Sequence, residues 1–215
     1  MRTLLIVLAA LALGACNQVY SRTPLLTEAA HQGDPQLRSG LWQFGDYQDD
    51  KCPFDIRLPV ARWPDCATGL EYQVGQVWLV SKRQRLLAQT IRLEPGDPVL
   101  AQRHFSTDVL NDPRAPEPRD ADNPFFGWTY AALTVVKTDG ADRIVEARMI
   151  EPICGPLPPS APGGAAPTVT DRPFPGLKMV KTNCVAQDLD TVKAALALSE
   201  PLVQAQTIRW IRDRP

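Results

Sequence analysis

The chain has 215 residues, 44% of them apolar and 22% charged, with 23 basic against 24 acidic side chains and a formal net charge of −1. That balance excludes wholesale disorder and collagen-like repeats, and it supplies no field for nucleic acid, so no nucleic-acid partner is expected. The length suits one domain of ordinary size or two small ones, at roughly 100–200 residues each, and the 21 prolines point to long connections between modest packed elements.

Met1-Arg2-Thr3 is short and positive, and the twelve residues from Leu4 to Ala15 are then uncharged and apolar apart from Gly14, ending at Cys16. At roughly 1.5 Å per residue, a helix of that length reaches about 18 Å, short of the ~30 Å hydrocarbon core. Residues 1–15 therefore read as a cleaved export signal rather than a spanning anchor. Leu13-Gly14-Ala15-Cys16 resembles the lipobox of bacterial lipoproteins, with its two small residues in the less common order. The resemblance implies that Cys16 becomes the first residue of the mature chain and carries a thioether-linked diacylglycerol and an N-acyl chain, with palmitate among the acyl groups. Each buried CH₂ contributes about 0.8 kcal/mol, so two or three chains hold firmly where one is marginal. The alternative is an ordinary secretory signal followed by a chance cysteine. Asn17, which is not the Asp that retains lipoproteins in the inner membrane, favours the outer membrane. The expected address is the periplasmic face of the bacterial cell envelope, with the membrane as a partner through the lipid. The resemblance covers sixteen of 215 residues and says nothing of activity.

Export changes the meaning of the four remaining cysteines. The periplasm is oxidising, and an even count there reads as disulfides. Of the three connectivities, the two local pairs, Cys52–Cys66 and Cys154–Cys184, need the least chain rearrangement. A zinc site is disfavoured: no Cys-x-x-Cys spacing exists, and only His31 and His104 are available beside the thiols. No cofactor is expected apart from the covalent lipid on Cys16.

Along the mature chain, residues 16–39 lack a sustained period and are expected to be a lipidated N-terminus and flexible tether, with residues 40–215 forming a single periplasmic domain. Some 22 free residues would span about 25 Å r.m.s., at roughly 5–6 Å × √n. Gly40 to Phe44 reads as a short strand, and the proline-rich stretch between Cys52 and Cys66 as a stapled loop. From Leu70 the pattern alternates, and a phase slip near Gly75 suggests a bulge inside one strand running to Val80. Residues 85–93 and 99–105 flank Glu94-Pro95-Gly96-Asp97, which reads as a hairpin on a type II turn with Gly96 at φ > 0. Residues 128–137 and 143–150 read as a second hairpin through Asp139-Gly140. That loop sets Tyr130 opposite Met149 and puts Trp128, Tyr130, Ala132, Val145, Ala147 and Met149 on one core face. Residues 112–124, with four prolines, and 152–175, with eight, read as loops. Asp190 is expected to cap a helix from Thr191 to Ser199, and residues 207–212 alternate as a final strand with Ile208 and Trp210 on one side. The expected fold is α+β: a mostly antiparallel sheet with one C-terminal helix before a last strand, stapled by disulfides.

Catalytic signals are few. There is no Gly-x-Ser-x-Gly elbow, His-Glu-x-x-His helix or phosphate-binding glycine loop. His104, Ser106 and Asp108 would share one strand face, but alternate strand residues stand nearly 7 Å apart, too far for a triad that must converge within about 3 Å. Asp46, Asp49, Asp50 and Asp55 offer oxygen ligands without the glycine and distal glutamate of a calcium loop. Trp42, Trp63, Trp78, Trp128 and Trp210 fall at strand-like positions and read as packing residues before sugar platforms. No catalytic residue and no metal site are therefore assigned. The expectation is a lipid-anchored, non-catalytic binding or assembly module with an envelope protein partner. The alternatives are a binder of a small or lipidic ligand in a sheet-lined cavity and, behind it, an unrecognised hydrolase.

Overall fold

The computed structural model describes residues 17–27, 35–45, 52–105, 127–160 and 167–213. Cys16 and the signal, the loop 112–124, and Ser106, Asp108, Asp46, Asp49, Asp50 and His31 lie outside them. Among the described residues no helix is long and apolar enough to cross a membrane.

The strands, in chain order, are β1 (Val19–Ser21), β2 (Gly40–Phe44), β3 (Gly69–Gln73), β4 (Gln76–Val80), β5 (Arg85–Glu94), β6 (Val99–Phe105), β7 (Trp128–Thr138), β8 (Ile144–Ile150), β9 (Lys178–Val180), β10 (Asn183–Val185) and β11 (Gln206–Arg212). One α-helix among the described residues, α1 (Leu189–Ser199), precedes β11. The α+β reading stands, with a closure that alternation alone does not announce. β2 through β8 pair antiparallel in sequence order, and β11 joins β8 to β2, which closes an eight-stranded barrel. The β6–β7 seam extends from Val99↔Leu133 to His104↔Trp128. β1 takes over the edge of β7 at Thr129 and Trp128, runs parallel to β10, and so attaches the β9–β10 hairpin as a small side sheet.

The lumen is a core. Trp42, Tyr72, Val77, Leu93, Ala101, Leu133, Ala147, Met149 and Ile208 are buried there, with Trp210 and Ile91 packed against them. An eight-stranded barrel is just wide enough for side chains to fill. The outer face carries Arg85, Arg148 and Arg209, with polarity opposite to that of barrels that sit in lipid. Two apolar covers complete the fold. Val192, Ala195 and Leu196 of α1 pack with Val19, Leu100, Tyr130 and Ala132 on the outside of β6 and β7, and Trp63, Ala67 and the Cys52–Cys66 bond cover Leu41 and Val80. The second disulfide joins Cys154, just past β8, to Cys184 in β10, as the local pairing predicts. Residues 152–160 and 167–175 are irregular, as expected of a proline-rich loop, and are tied down by that bond and by Phe174 N–H donating to Cys154 O at 2.7 Å.

Four local expectations are corrected. The expected tether is anchored to the fold: Asn17, Val19, Tyr20, Ser21, Leu26 and Leu37 are buried, with β1 completing an edge that β7 would otherwise expose, while Arg22, Thr23, Pro24 and Thr27 remain exposed. The slip at Gly75 is not a bulge within one strand. Val74 (φ 34°) and Gly75 (φ 74°) form a two-residue hairpin turn, with Gln73 opposite Gln76, whose doubly left-handed backbone matches strand twist. The β5–β6 connection carries a cis Asp97–Pro98 bond, and Gly96 is not left-handed, so it is not a type II turn. In the β7–β8 hairpin the left-handed residue is Asp142 (φ 56°), not Gly140, and Asp139 N–H donates to Arg143 O at 2.9 Å. The longer loop sets Leu133 rather than Tyr130 opposite Met149. A three-residue slip is odd, so it moves Trp128, Tyr130 and Ala132 to the outer face and leaves Ala147 and Met149 in the lumen.

Candidate functional site

On the outer face, β5 presents Thr90 and Arg92, β6 presents Gln102 and His104, and β7 presents Trp128 and Tyr130, since Thr90 pairs with His104, Arg92 with Gln102, and His104 with Trp128. Residues 22–27 cross this surface after β1 and roof part of it. Beside the roof lies an open groove of about 380 Å³ lined by Leu26, Thr27, Thr90, Ile91, Arg92 and Trp128.

The roof is held by one buried amide. The Gln102 Oε1 accepts from Leu25 N–H at 2.7 Å and Leu26 N–H at 2.8 Å, and its Nε2 donates to Leu26 O at 3.3 Å. Arg92 Nη1 donates to the same carbonyl at 3.1 Å. Beneath it, Ser21 Oγ lies 2.6 Å from both Thr23 O and the Tyr130 hydroxyl, and that hydroxyl donates to Gln102 Oε1 at 3.3 Å. Burial pushes the Tyr130 phenol above its ordinary value, so it stays protonated at neutral pH. His104 lies with its ring 4.5 Å from that of Trp128, and burial lowers its pKa, so it is neutral at pH 7. Chemically, the groove combines a guanidinium, a threonine hydroxyl, an indole and two aliphatic side chains. It fits a ligand with one anionic or carbonyl group and an apolar or flat body.

The residues singled out in the sequence fall in different places. The four cysteines are joined as two disulfides. Asp55 accepts from Arg57 N–H at 2.9 Å in a local turn, and no group of three potential metal ligands is found among the described residues. Trp42 and Trp210 fill the lumen and donate to Arg38 O and Ser39 O, Trp63 is buried beneath the first disulfide, and Trp78 lies under the Arg85 guanidinium at 3.8 Å. Trp128 alone of the five lines the groove. Arg92, Gln102, Ser21 and Tyr130 were not legible as a group, because what joins them is a barrel seam and a roof contact more than 60 residues apart in sequence.

A second polar cluster lies elsewhere on the wall. Arg85 holds the buried Glu71 carboxylate through Nε at 2.9 Å and Nη2 at 3.2 Å, which satisfies a charge that would be costly alone. Near one end of the lumen, Arg103 pairs with Glu151 at 2.7 Å. Comparison with known proteins finds no family model, no curated protein and no solved structure that matches this chain.

Proposed function

We propose that the protein is a lipid-anchored, non-catalytic binding module of the bacterial cell envelope, held by acyl chains on Cys16 at the periplasmic face, that takes its ligand in the outer groove of the barrel. The anchoring half rests on the lipobox-like run ending at Cys16. The observation that carries the binding half is the groove beside Arg92 and Trp128, of a volume usual for ligand sites, on a barrel whose lumen is occupied by its own side chains. Outer-membrane residence follows from Asn17, as expected of this signal class.

Two measurements test this reading. Replacing Cys16 with Ser abolishes palmitate incorporation and moves the protein from the membrane to the soluble periplasmic fraction; unchanged membrane retention contradicts the anchor. A photoreactive phenylalanine analogue at Thr90 gives a discrete adduct in intact cells, while the same analogue at the exposed Arg148, on the outside of β8, gives none. Equal adducts from both positions, or none from Thr90, contradict the groove. A low-mass adduct identifies a small or lipidic ligand, and a protein-sized one identifies an assembly partner.

A further inference from the structure

Asn17 is 4% exposed and fixed on both sides of its backbone. Its N–H donates to Thr182 O at 2.6 Å, its carbonyl accepts from Cys154 N–H at 2.8 Å, and its Nδ2 donates to Gly155 O at 3.0 Å. Gln18 N–H continues the attachment by donating to Asn183 Oδ1 at 2.9 Å. The folded body thus begins one peptide bond after the residue proposed to carry the lipid, and consecutive Cα atoms stand about 3.8 Å apart. The 25 Å reach expected of a free tether is absent. A diacylglycerol sets its glycerol at the edge of the hydrocarbon, and the polar layer outside that edge is about 5–8 Å deep in each leaflet. Asn17 and the groups bonded to it must then lie in that layer.

We propose that the lipidated protein is docked on the bilayer rather than suspended from it, with the surface around Asn17 resting among phospholipid headgroups. This rests on the lipid anchor proposed above. The surface is formed by the β9–β10 turn at Lys181 and Thr182, by residues 155–157, and by residues 170–172, which are bound to them through Thr170 Oγ1–H donating to Pro156 O at 2.7 Å. Its chemistry suits an interface. Leu157 is 48% exposed, the Arg172 side chain is 84% exposed, and Lys181 is exposed; the acid in the patch, Asp171, is 3.9 Å from the Arg172 guanidinium. Long cationic side chains lay their stems along apolar surface while their heads meet phosphate. Docking also sets the groove close to the membrane, because β1 is the only ordered run between Asn17 and the roof, a rise of roughly 10 Å over three strand residues.

The test uses the full-length lipidated protein added to preformed vesicles of phosphatidylethanolamine and phosphatidylglycerol, with the Cys16→Ser protein free in the same buffer as reference. Lysines are acylated with a membrane-impermeant reagent and mapped by mass spectrometry. Lys181 labelling falls at least five-fold on the vesicles, while Lys82 and Lys137 change by less than two-fold. Inserting ten Gly and Ser residues between Cys16 and Asn17 restores Lys181 labelling at least three-fold. Unchanged Lys181 labelling on a protein whose intact mass includes the lipid overturns docking and leaves the anchor standing. So does protection that survives the linker. An intact mass without lipid overturns the anchor, and docking with it.

Discussion

Gln102 is 2% exposed and accepts two backbone N–H bonds from a segment 76 or more residues away. Replacing it with Leu preserves apolar bulk but leaves the Leu25 and Leu26 donors unsatisfied, at about 1–3 kcal/mol each. The urea midpoint of Gln102→Leu is therefore expected to fall, and amide exchange at Leu25 and Leu26 to accelerate; unchanged exchange would mean that the roof is held by something else. Histidine chemistry gives a second expectation at this scale. Burial depresses the His104 pKa below 6.5, so the unfolded chain takes up a proton before the folded one as pH falls. Its contribution to stability is present above pH 6.5 and is lost below, as pH drops toward the folded value. An NMR titration of the His104 ring checks this; a midpoint above 6.5 contradicts it. Asp139 has the same sign on a lower scale. The Arg143 guanidinium holds its carboxyl at about 2, so the contribution is present above about 3.8 and lost as pH falls toward 2.

Among the elements, the turns decide what the strands face. Val74 is 76% exposed and sits at φ 34°, where a β-branched residue is strained and where Asn before Gly is preferred. Val74→Asn is expected to raise stability by about 1 kcal/mol in chemical denaturation; a lower midpoint would contradict the turn assignment. The helix offers a comparable check. Helical spacing of Val192, Ala195 and Leu196 placed α1 to within two residues of its start at Leu189, but Asp188, not Asp190, caps it, through Oδ1 accepting from Thr191 N–H at 2.7 Å. Asp188→Ala should lower the melting temperature more than Asp190→Ala. Strand positions were legible because β5, β6, β7, β8 and β11 each carry a run of alternating or continuous apolar residues within a residue or so of their observed ends. Facing was not. Tyr130 and Ala132 look like core and are buried, and Trp128 beside them is half-buried, yet they meet α1 and the roof, while their neighbours Ala131 and Leu133 fill the lumen. When both faces of a strand are covered, apolar pattern no longer tells inside from outside.

For the molecule as a whole, the disulfides were legible from spacing and compartment, whereas barrel closure was not, since it depends on β11 pairing with β2, which lies far back in the chain, as well as with β8. The two staples do different work. Cys154–Cys184 closes a separation of 30 residues and ties the side sheet to the exit of β8, and loop entropy gives such a closure roughly 3–4 kcal/mol. The Cys154→Ala/Cys184→Ala protein should lose about that much stability in urea, with the side sheet and α1 the first to exchange their amides. Loss confined to β3 and β4 would contradict this. The groove was invisible in the sequence for the same reason as closure: it exists only where the N-terminal segment, expected to be free, lies across β5 and β6. The function proposed above makes the protein a lipid-anchored barrel that binds a ligand on its outer face. Native mass spectrometry of the full-length protein, extracted from membranes in mild detergent beside a groove-filling Thr90→Trp variant, tests it most directly. The expected wild-type mass includes diacylglycerol and acyl groups on Cys16, sits four hydrogens below the reduced value for two disulfides, and carries a discrete excess that the variant lacks. A lipid-free mass, or an excess equally retained by Thr90→Trp, would contradict it.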